Sequence, residues 1–592
     1  MAAGMPKAYE YLMLRLKFEQ HTLLDWSLVV GLVDENGPKL STYLRLNRTL
    51  LIDILHQTRT LLEEFGKLNG RYHELLPERD AVEDNQIFPG GKTIQGEVLD
   101  APVEKPSHFP RRRKALKMAL DAIEKVPSAP KRLRWATFDK EKFEMLLDKL
   151  GKLNGFMRGL MDENQNTKLL ETQHQTYLEI LQLHNTVHDL QQLVRALGSA
   201  GTRTKRIDVA ETFVTGTAED LDVRQREEEQ KIAELAKFKE VNADIENLVA
   251  TAETELHRKN IEFDSPEDHE ATDQRPEASL LSENGRTTRV WVEWKDYEPI
   301  QGDVEQKPDQ KIVDRVRQLT ALLSRVDKPE AFRVPRCLGY FDDCDPARKD
   351  PTGRFGFVFE KPKDVDPSTQ PISLLELFSV HKPSLTDRIA LAGQVSNCIL
   401  YLHSVNWLHK GLRSHNIIFF PDADKLDYHR PYLSGFDYAR PSRPDEMTEK
   451  PPQNPEFDVY RHPNAHGDGP KEPMETRNPF KKSYDIYSLG VILLEIALWR
   501  SIDAIVGIDD LRTARPPETR RIREMLLKEK SFLGSVGADA GNLYRDIVDV
   551  CLQGAEGFGL PGNAVETDEL VAAELQQAFT EKVIEKLAAM KL

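Results

Sequence analysis

Apolar residues recur every three or four positions through much of the first 200 residues of the chain. This spacing places them on one face of an α-helix, and such a face has to be buried against a neighbour. Four stripes of this kind are enough for an antiparallel bundle, so the pattern predicts an all-α helical bundle over residues 1–200. The stripes are formed by Leu12, Leu16, Leu23 and Trp26; by Leu51, Ile54, Thr58, Leu61 and Phe65; by Phe143, Leu146, Leu150, Leu153, Met157 and Leu160; and by Tyr177, Ile180, Leu183, Val187, Leu190, Val194 and Leu197.

The pattern changes twice after the bundle. Residues 201–263 are polar but keep apolar positions three or four apart, which predicts connecting helices. Residues 264–284 are acidic, contain two prolines and lose this periodicity, which is typical of a linker. Alternating segments at 289–295 and 355–360 then predict strands before helices return. We therefore expect a bilobal α+β domain over residues 285–592.

Composition narrows the class of protein. Lys and Arg number 81 against 97 Asp and Glu, and the resulting net charge of −16 argues against a protein that neutralises nucleic-acid phosphate. Four scattered cysteines suit a reducing compartment. The chain starts without the apolar core of a signal peptide, and no apolar run reaches the roughly 18 residues needed to cross a bilayer. These features predict a cytoplasmic protein, with recruitment to a membrane on activation left open.

Two local patterns between residues 75 and 134 carry less weight. Gly91, Lys92 and Thr93 match the end of a phosphate-binding P-loop, but the first glycine of that pattern would fall on Gln86, so we interpret the match as chance. A basic run at residues 111–117 favours a solvated helix start over contact with acidic lipid head groups or RNA.

Three motifs follow one another near the end of the chain. They are residues 402–419, LHSVNWLHKGLRSHNIIF; residues 432–440, YLSGFDYAR; and residues 483–495, SYDIYSLGVILLE. Their order and spacing resemble those of the protein kinase fold, where they correspond to the catalytic loop, the magnesium-binding triplet and the helix that anchors both. The resemblance spans roughly residues 280–590. It implies that Lys295 matches the lysine that contacts the α- and β-phosphates of ATP, whereas a strand lysine facing solvent is the open alternative.

The acidic groups that phosphoryl transfer requires are missing from these motifs. His409, Lys410 and Gly411 stand where the family has His-Arg-Asp, so the catalytic aspartate is a glycine. The Asp-Phe-Gly triplet likewise begins with Gly435, and Asp437 is displaced by two places. Because glycine can neither accept a proton nor ligate magnesium, we predict no catalytic and no metal-binding residues here. Enzymatic activity stays undecided, and the missing carboxylates weigh against it.

Other kinase features persist in part. Asn416 matches the second metal-ligand position, and Asp485 matches the helix aspartate that hydrogen-bonds the catalytic-loop backbone. Of the glycine-rich loop only Gly285 is left, and the helix glutamate aligns best with Arg315, with the neighbouring Asp314 as the open alternative. The resemblance therefore implies a structural role for Asp485. ATP binding through Lys295 and Asn416, without efficient magnesium-dependent transfer, is left open.

Five segments of the N-terminal region carry a second resemblance: YLMLRLKFEQ at 11–20, LDW at 24–26, GL at 31–32, KRLRWA at 131–136 and DKEKF at 139–143. They resemble the HeLo domain of prion-inhibition and cell-death proteins of filamentous fungi. The resemblance spans roughly residues 8–200. The family's apolar first helix would precede Tyr9, where only eight residues stand, and this departure counts against direct pore formation.

Together the two resemblances imply a cytoplasmic signalling protein in fungal programmed cell death or non-self response, with a helical effector bundle regulated by a pseudokinase. The expected partners are proteins, bound through both domains. Contact with an anionic membrane surface and self-association are left open, and no nucleic acid is expected. Two alternatives stay open: an active but atypical Ser/Thr kinase that uses Lys295, Asn416 and Asp437, and an adaptor with no membrane step.

Overall fold

The computed structural model describes most of the chain in two compact units. The first unit comprises Met1–Leu178 and Gln191–Ala233, and the second comprises Glu179–Leu190 and Glu234–Leu592. The segments around Gly91 and the basic run at 111–117 lie outside the described residues. The described residues are 5–32, 44, 48–72, 140–203, 216–264, 275–282, 285–297, 308–343, 353–421, 426–442, 454–466 and 480–590.

Helices make up the described N-terminal region, which confirms its predicted helical character. Three of these helices, α4, α5 and α6, contain a boundary between the units, because the division falls at residues 178/179, 190/191 and 233/234. No helix among the described residues has both the length and the apolar character needed to cross a bilayer. The helices are α1 (Met5–Val29), α2 (Arg48–Tyr72), α3 (Lys140–Arg158), α4 (Glu163–Leu183), α5 (Val187–Arg203) and α6 (Gly216–Ala243).

Three helices form the core of the first unit. Leu12 of α1, Phe65 of α2 and Phe143 of α3 are fully or almost fully buried in one apolar cluster, and the two phenyl rings meet edge to face at 5.0 Å between centroids. Further along, the buried indole of Trp26 donates a hydrogen bond to the carbonyl oxygen of Met157 at 3.0 Å. The predicted stripes thus face one another, and the indole nitrogen pays no penalty for its burial because it has a partner.

The predicted stripe over residues 177–197 does not form one helix. Helix α4 ends at Leu183 and α5 begins at Val187. Thr186 separates them: its hydroxyl accepts a hydrogen bond from the backbone N–H of Asp189 at 3.2 Å and donates one to the Asp189 carboxylate at 2.6 Å. This is the chemistry of a helix N-cap, and it starts a new helix although the apolar spacing continues.

The second unit combines a five-stranded antiparallel sheet with helices and small strand pairs. The strands are β1 (Ile261–Phe263), β2 (Glu277–Leu281), β3 (Thr287–Tyr297), β4 (Arg336–Asp342) and β5 (Gly353–Glu360), in the spatial order β1-β2-β3-β5-β4. Helix α7 (Ile245–Thr251) precedes the sheet, and α8 (Gln310–Leu323) lies between β3 and β4 in the chain. Strand β2 falls within the range predicted as a linker, because pairing with strands on both sides supplies the order that its short sequence does not signal.

The rest of the second unit is mainly helical. Strands β6 (Ile372–Ser373), β8 (Ile417–Phe419) and β9 (Tyr432–Leu433) form one small antiparallel sheet, and β7 (Trp407–Leu408) pairs with β10 (Arg440–Pro441). The helices are α9 (Leu374–Leu377), α10 (Leu385–Ser404), α11 (Pro455–Asp458), α12 (Lys482–Leu498), α13 (Ile502–Val506), α14 (Pro516–Lys528), α15 (Lys530–Ala540), α16 (Asn542–Gln553), α17 (Glu569–Phe579) and α18 (Glu585–Ala589). Helix α12 is buried at every position from Lys482 to Ala497.

The core of the first unit gives a direct test of the packing. Phe143→Ala should lower the stability of this unit by about 3–5 kcal/mol, because it leaves a cavity between α1, α2 and α3. Met145→Ala, on the exposed face of the same helix, should change it by no more than about 0.5 kcal/mol. Native-state hydrogen exchange of peptides covering residues 140–158 in the full chain measures both, and equal effects of the two changes would contradict the assignment.

Candidate functional site

A buried carboxylate holds the loop between β7 and β8. Asp485 lies on α12 and has no exposed surface. Its two oxygens accept hydrogen bonds from the backbone N–H groups of His409 at 2.8 Å and Lys410 at 2.9 Å, and its carboxylate also lies 3.3 Å from Nε2 of His403. A buried charge is tolerated when donors surround it, so this carboxylate fixes the course of the loop that carries Gly411 and Asn416.

The two glycines at the expected acidic positions are enclosed by other atoms. A Cβ atom on Gly411 would lie 2.9 Å from the carbonyl oxygen of Gly435. A Cβ atom on Gly435 would lie 2.0 Å from Nδ2 of Asn416, and the φ angle of Gly435 is +74°, in the left-handed region that favours glycine. Neither position can therefore accept a carboxylate side chain unless its neighbours move.

The side chain of Asn416 is occupied by protein groups. Its Nδ2 donates to the carbonyl oxygen of Gly411 at 2.7 Å. Its Oδ1 accepts a hydrogen bond from the guanidinium of Arg275 at 3.0 Å, and the same nitrogen of Arg275 donates to Oγ of Ser434 at 2.8 Å. Oδ1 is the atom that would ligate magnesium, and here it binds a cation of the chain itself.

Glu293 joins this arginine to the second motif. Its Oε1 accepts a hydrogen bond from Nε of Arg275 at 3.1 Å, and its Oε2 accepts one from the backbone N–H of Gly435 at 2.9 Å. The two side chains are only 10% and 11% exposed. Arg275 and Glu293 thus form a nearly buried ion pair that connects the large sheet to the loop residues, and the sequence reasoning named neither of them.

Lys295 is buried rather than facing solvent. It lies on β3 opposite Phe355 of β5, and only 2% of its surface is exposed. Its Nζ donates a hydrogen bond to the backbone carbonyl of Asp437 at 2.9 Å and lies 4.3 Å from the centre of the Tyr438 ring. The structure therefore brings Lys295 together with the second motif, but through the backbone and an aromatic face.

Asp437 belongs to the second motif, and its side chain lies near Gly411 of the first. Burial raises the pKa of its carboxyl group from 3.8 to about 6, although the nearby cations Lys295 and Arg413 favour the charged form. A Cβ atom on Gly411 would lie 3.8 Å from Oδ1 of Asp437. A carboxyl group is thus present close to Gly411, but it belongs to the other loop and becomes protonated mainly as the pH falls below about 6.

Two cavities adjoin these residues. The smaller one, lined in part by Lys295, Arg315 and Tyr438, has a volume of about 10 Å³, which is room for about one water molecule. The larger one has a volume of about 210 Å³. Among the described residues no group of three or more His, Cys, Asp or Glu side chains is arranged to hold a metal ion. Lining residues of the larger cavity include Arg275, Glu293, Lys410, Gly411, Arg413, Asn416, Gly435, Asp437 and Arg461.

Two segments of the chain match known family models. Residues 1–193 match the HeLo family, described as prion-inhibition and propagation, which is associated with fungal cell death and incompatibility signalling. This match supports the HeLo resemblance found in the N-terminal sequence. Residues 359–591 match a domain of unknown function (DUF7580). A search of curated proteins finds no match to this chain.

The close packing of Gly435 can be tested against a glycine with the same backbone. Gly435→Ala should destabilise the second unit more than Gly507→Ala, because both glycines have a positive φ (+74° and +75°) but a Cβ atom at 507 meets nothing within 4 Å. We expect a loss of about 1–2 kcal/mol for Gly507→Ala from the left-handed backbone alone. A further loss of about 1–3 kcal/mol should accompany Gly435→Ala from the contact with Asn416. Thermal unfolding of the full chain measures the difference, and equal losses would show that Asn416 yields freely.

The pKa of Asp437 predicts a pH dependence. Because the folded state holds the proton more tightly than the unfolded state, this group makes unfolding easier as the pH rises through the window from 3.8 to about 6. The full effect is about 3 kcal/mol. Asp437→Asn should remove this part of the pH dependence when melting temperatures are compared with the wild type.

Glu495→Gln is the reference variant for that measurement. Burial raises the pKa of Glu495 from 4.5 to about 8, so its contribution extends to higher pH than that of Asp437. If Asp437→Asn and Glu495→Gln changed the profile over the same range, or if Asp437→Asn changed nothing below pH 6, the assignment of Asp437 would be wrong.

Proposed function

We propose that the C-terminal region is a kinase-like domain that does not transfer phosphate and regulates an N-terminal HeLo effector bundle in fungal cell death or non-self signalling. The observation that carries this proposal is the position of Arg275, whose guanidinium binds Oδ1 of Asn416 and Oγ of Ser434. A cation of the protein takes the hydrogen-bonding capacity that a magnesium-nucleotide complex would need.

The scaffold supports the kinase-like part of the proposal. Lys295 lies on the third strand of a five-stranded antiparallel sheet, and helix α8 follows that strand in the chain. In kinases this lysine pairs with a glutamate on the corresponding helix, whereas Arg315 of α8 lines the same small cavity as Lys295. Asp485 holds the loop backbone from a fully buried helix. These features preserve shape, while the groups that carry the chemistry are replaced.

The electrostatics of the larger cavity, which we call the cleft, argue against the alternative of an active atypical kinase. That alternative requires Asp437 to bind magnesium. Burial favours the neutral form of Asp437, and its ionised form already interacts with the cations of Lys295 and Arg413. Asn416 is the second metal ligand that this alternative requires. Its Oδ1 already accepts a hydrogen bond and its Nδ2 already donates one. A metal site built from these two groups would have to displace Arg275 and overcome the desolvation of the carboxylate.

The absence of phosphoryl transfer can be measured directly. Full-length protein incubated with γ-labelled ATP, magnesium and a general protein acceptor should transfer no more label than a protein-free sample, because no carboxylate is available at 411 or 435. Lys295→Ala and Asp437→Asn should then leave the background unchanged. Magnesium-dependent transfer that Lys295→Ala abolishes would contradict the proposal and favour the atypical kinase.

The regulatory direction can be tested in fungal cells that express the full chain. Asp485→Ala removes the acceptor of two buried backbone N–H groups, which should weaken the regulatory domain by about 3–5 kcal/mol and reduce cell viability by releasing the bundle. Adding Leu12→Asp, which disrupts the core of the bundle, should restore viability. Leu12→Asp alone is the control for the effect of that substitution itself. All variants are compared at matched protein levels.

If Asp485→Ala left viability unchanged, the C-terminal region would not restrain the bundle. If the double variant stayed toxic, the bundle would not be the effector, and the adaptor alternative would gain support.

A further inference from the structure

Four polar side chains meet inside the second unit, and we name them the polar latch: Gln182, Lys239, Asn406 and Lys482. Gln182, Lys239 and Lys482 are 1%, 2% and 3% exposed, respectively. They come from four separate parts of the chain: the end of α4, the last turns of α6, the residue before β7 and the first residue of α12. Gln182 also lies within the range that matches the HeLo family.

The hydrogen bonds of the polar latch link these four elements. Nζ of Lys482 donates to Oε1 of Gln182 at 3.0 Å and to Oδ1 of Asn406 at 2.9 Å, and Nε2 of Gln182 donates to the same Asn406 oxygen at 2.9 Å. Nζ of Lys239 donates to the backbone carbonyl of Leu181 at 2.6 Å. A second contact anchors the same elements, since Nδ2 of Asn242 donates to the carbonyl of Val405 at 3.1 Å.

Both lysines of the polar latch are bound by neutral oxygen atoms in these hydrogen bonds. Burial lowers the pKa of Lys482 to about 7, and burial together with repulsion from Lys482 lowers the pKa of Lys239 well below its ordinary value. Two buried amines can share this space only if at least one of them gives up its charge, because a buried cation without an ion pair is costly.

The charged and titratable groups around the polar latch come from three elements. Glu566 precedes α17 and favours the charged form of Lys482, while its Oε2 accepts a hydrogen bond from the backbone N–H of Ser483 at 2.9 Å. Glu569 at the start of α17 favours the charged form of Lys239 and accepts a hydrogen bond from Asn185. His403 on α10 is repelled by Lys482, and burial lowers its own pKa. Neither glutamate offsets the desolvation of its lysine.

We propose that the polar latch is a pH-sensitive lock, which holds residues 179–190 and the last turns of α6 in the second unit and releases them when its buried amines take up protons. Opening exposes the lysines to water, where their pKa returns toward 10.5. The released state then binds more protons than the locked state over the interval from about 7 to 10.5, so the lock tightens as the pH rises through that interval. Below about pH 7, Lys482 is protonated in both the locked and the released state, so the stability of the lock no longer depends on its titration.

The lock also connects with the loop beside the cleft. Lys482 and Asp485 lie three residues apart at the start of α12, and Asp485 holds the backbone of His409 and Lys410. Asn406 has a left-handed backbone with φ of +57°, and its carbonyl accepts a hydrogen bond from the N–H of Ser442 at 2.7 Å. Release of Asn406 would therefore free a strained turn that leads directly into β7 and the loop.

Hydrogen exchange of the full chain between pH 7.0 and 8.5 tests the lock. Protection factors, corrected for the intrinsic exchange rate at each pH, should rise about tenfold per pH unit in peptides covering 179–190 and 234–243 if one lysine titrates, and up to about a hundredfold if both do. Peptides of α10 should show no comparable rise. Flat protection in both latch segments of the wild type would overturn the proposal without any variant.

Substitution separates the two lysines. If both lysines titrate, Lys482→Met and Lys239→Met should each reduce the rise by about tenfold per pH unit; if one titrates, only the variant of that lysine should abolish the rise. Lys328→Met is the matched control, measured in peptides covering 179–190: Lys328 is also buried with a pKa of about 7, but it donates to the carbonyls of Leu323 and Pro335 rather than to a residue of the polar latch. An unchanged rise in both latch variants would also overturn the proposal. The assay uses no nucleotide, so its result is independent of the test for phosphoryl transfer.

Discussion

The carboxylate of Asp485 determines the geometry on which the cleft depends. It accepts two backbone N–H groups from inside a helix that is buried on all sides, so the loop from His409 to Asn416 has one course and little freedom. Once that loop is fixed, Asn416 presents its amide to Gly411 on one side and to Arg275 on the other. The contacts of Asn416 thus depend on the buried carboxylate that fixes the backbone of its loop.

The charge balance of the cleft differs from that of a phosphoryl-transfer site. Such a site gathers carboxylates around metal ions and lets the metal meet the phosphates. Here Arg275 and Glu293 compensate each other in a nearly buried pair, and Lys295 binds a carbonyl oxygen and an aromatic ring. Arg275, Glu293 and Lys295 thus find their partners within the chain. This arrangement suits a domain that acts through its conformation.

The sequence predicted features that depend on local periodicity and on fixed spacing. The stripes at 51–65 and 143–160 appear as helices with a common core, and the position of Asp485 within its motif led directly to its contact with the loop. The break at Thr186 was missed because apolar spacing continued through a capping residue. Glu293 could have been found, since it lies two residues before Lys295 on an alternating strand and shares its face. Arg275 could not be found in this way. Its contacts Asn416 and Ser434 lie 141 and 159 positions away in the chain, and no local pattern points to them.

The enclosed glycines at 411 and 435 limit the order in which substitutions can accumulate in this chain. A single codon change that introduced an acid at 435 would place it against Asn416, in a backbone conformation that side chains avoid. The neighbouring amide and the arginine bound to it would have to change first, and neither change brings a benefit while the acid is missing. A lineage with this arrangement is therefore expected to keep glycine at 435 for as long as Asn416 and Arg275 keep their present contacts.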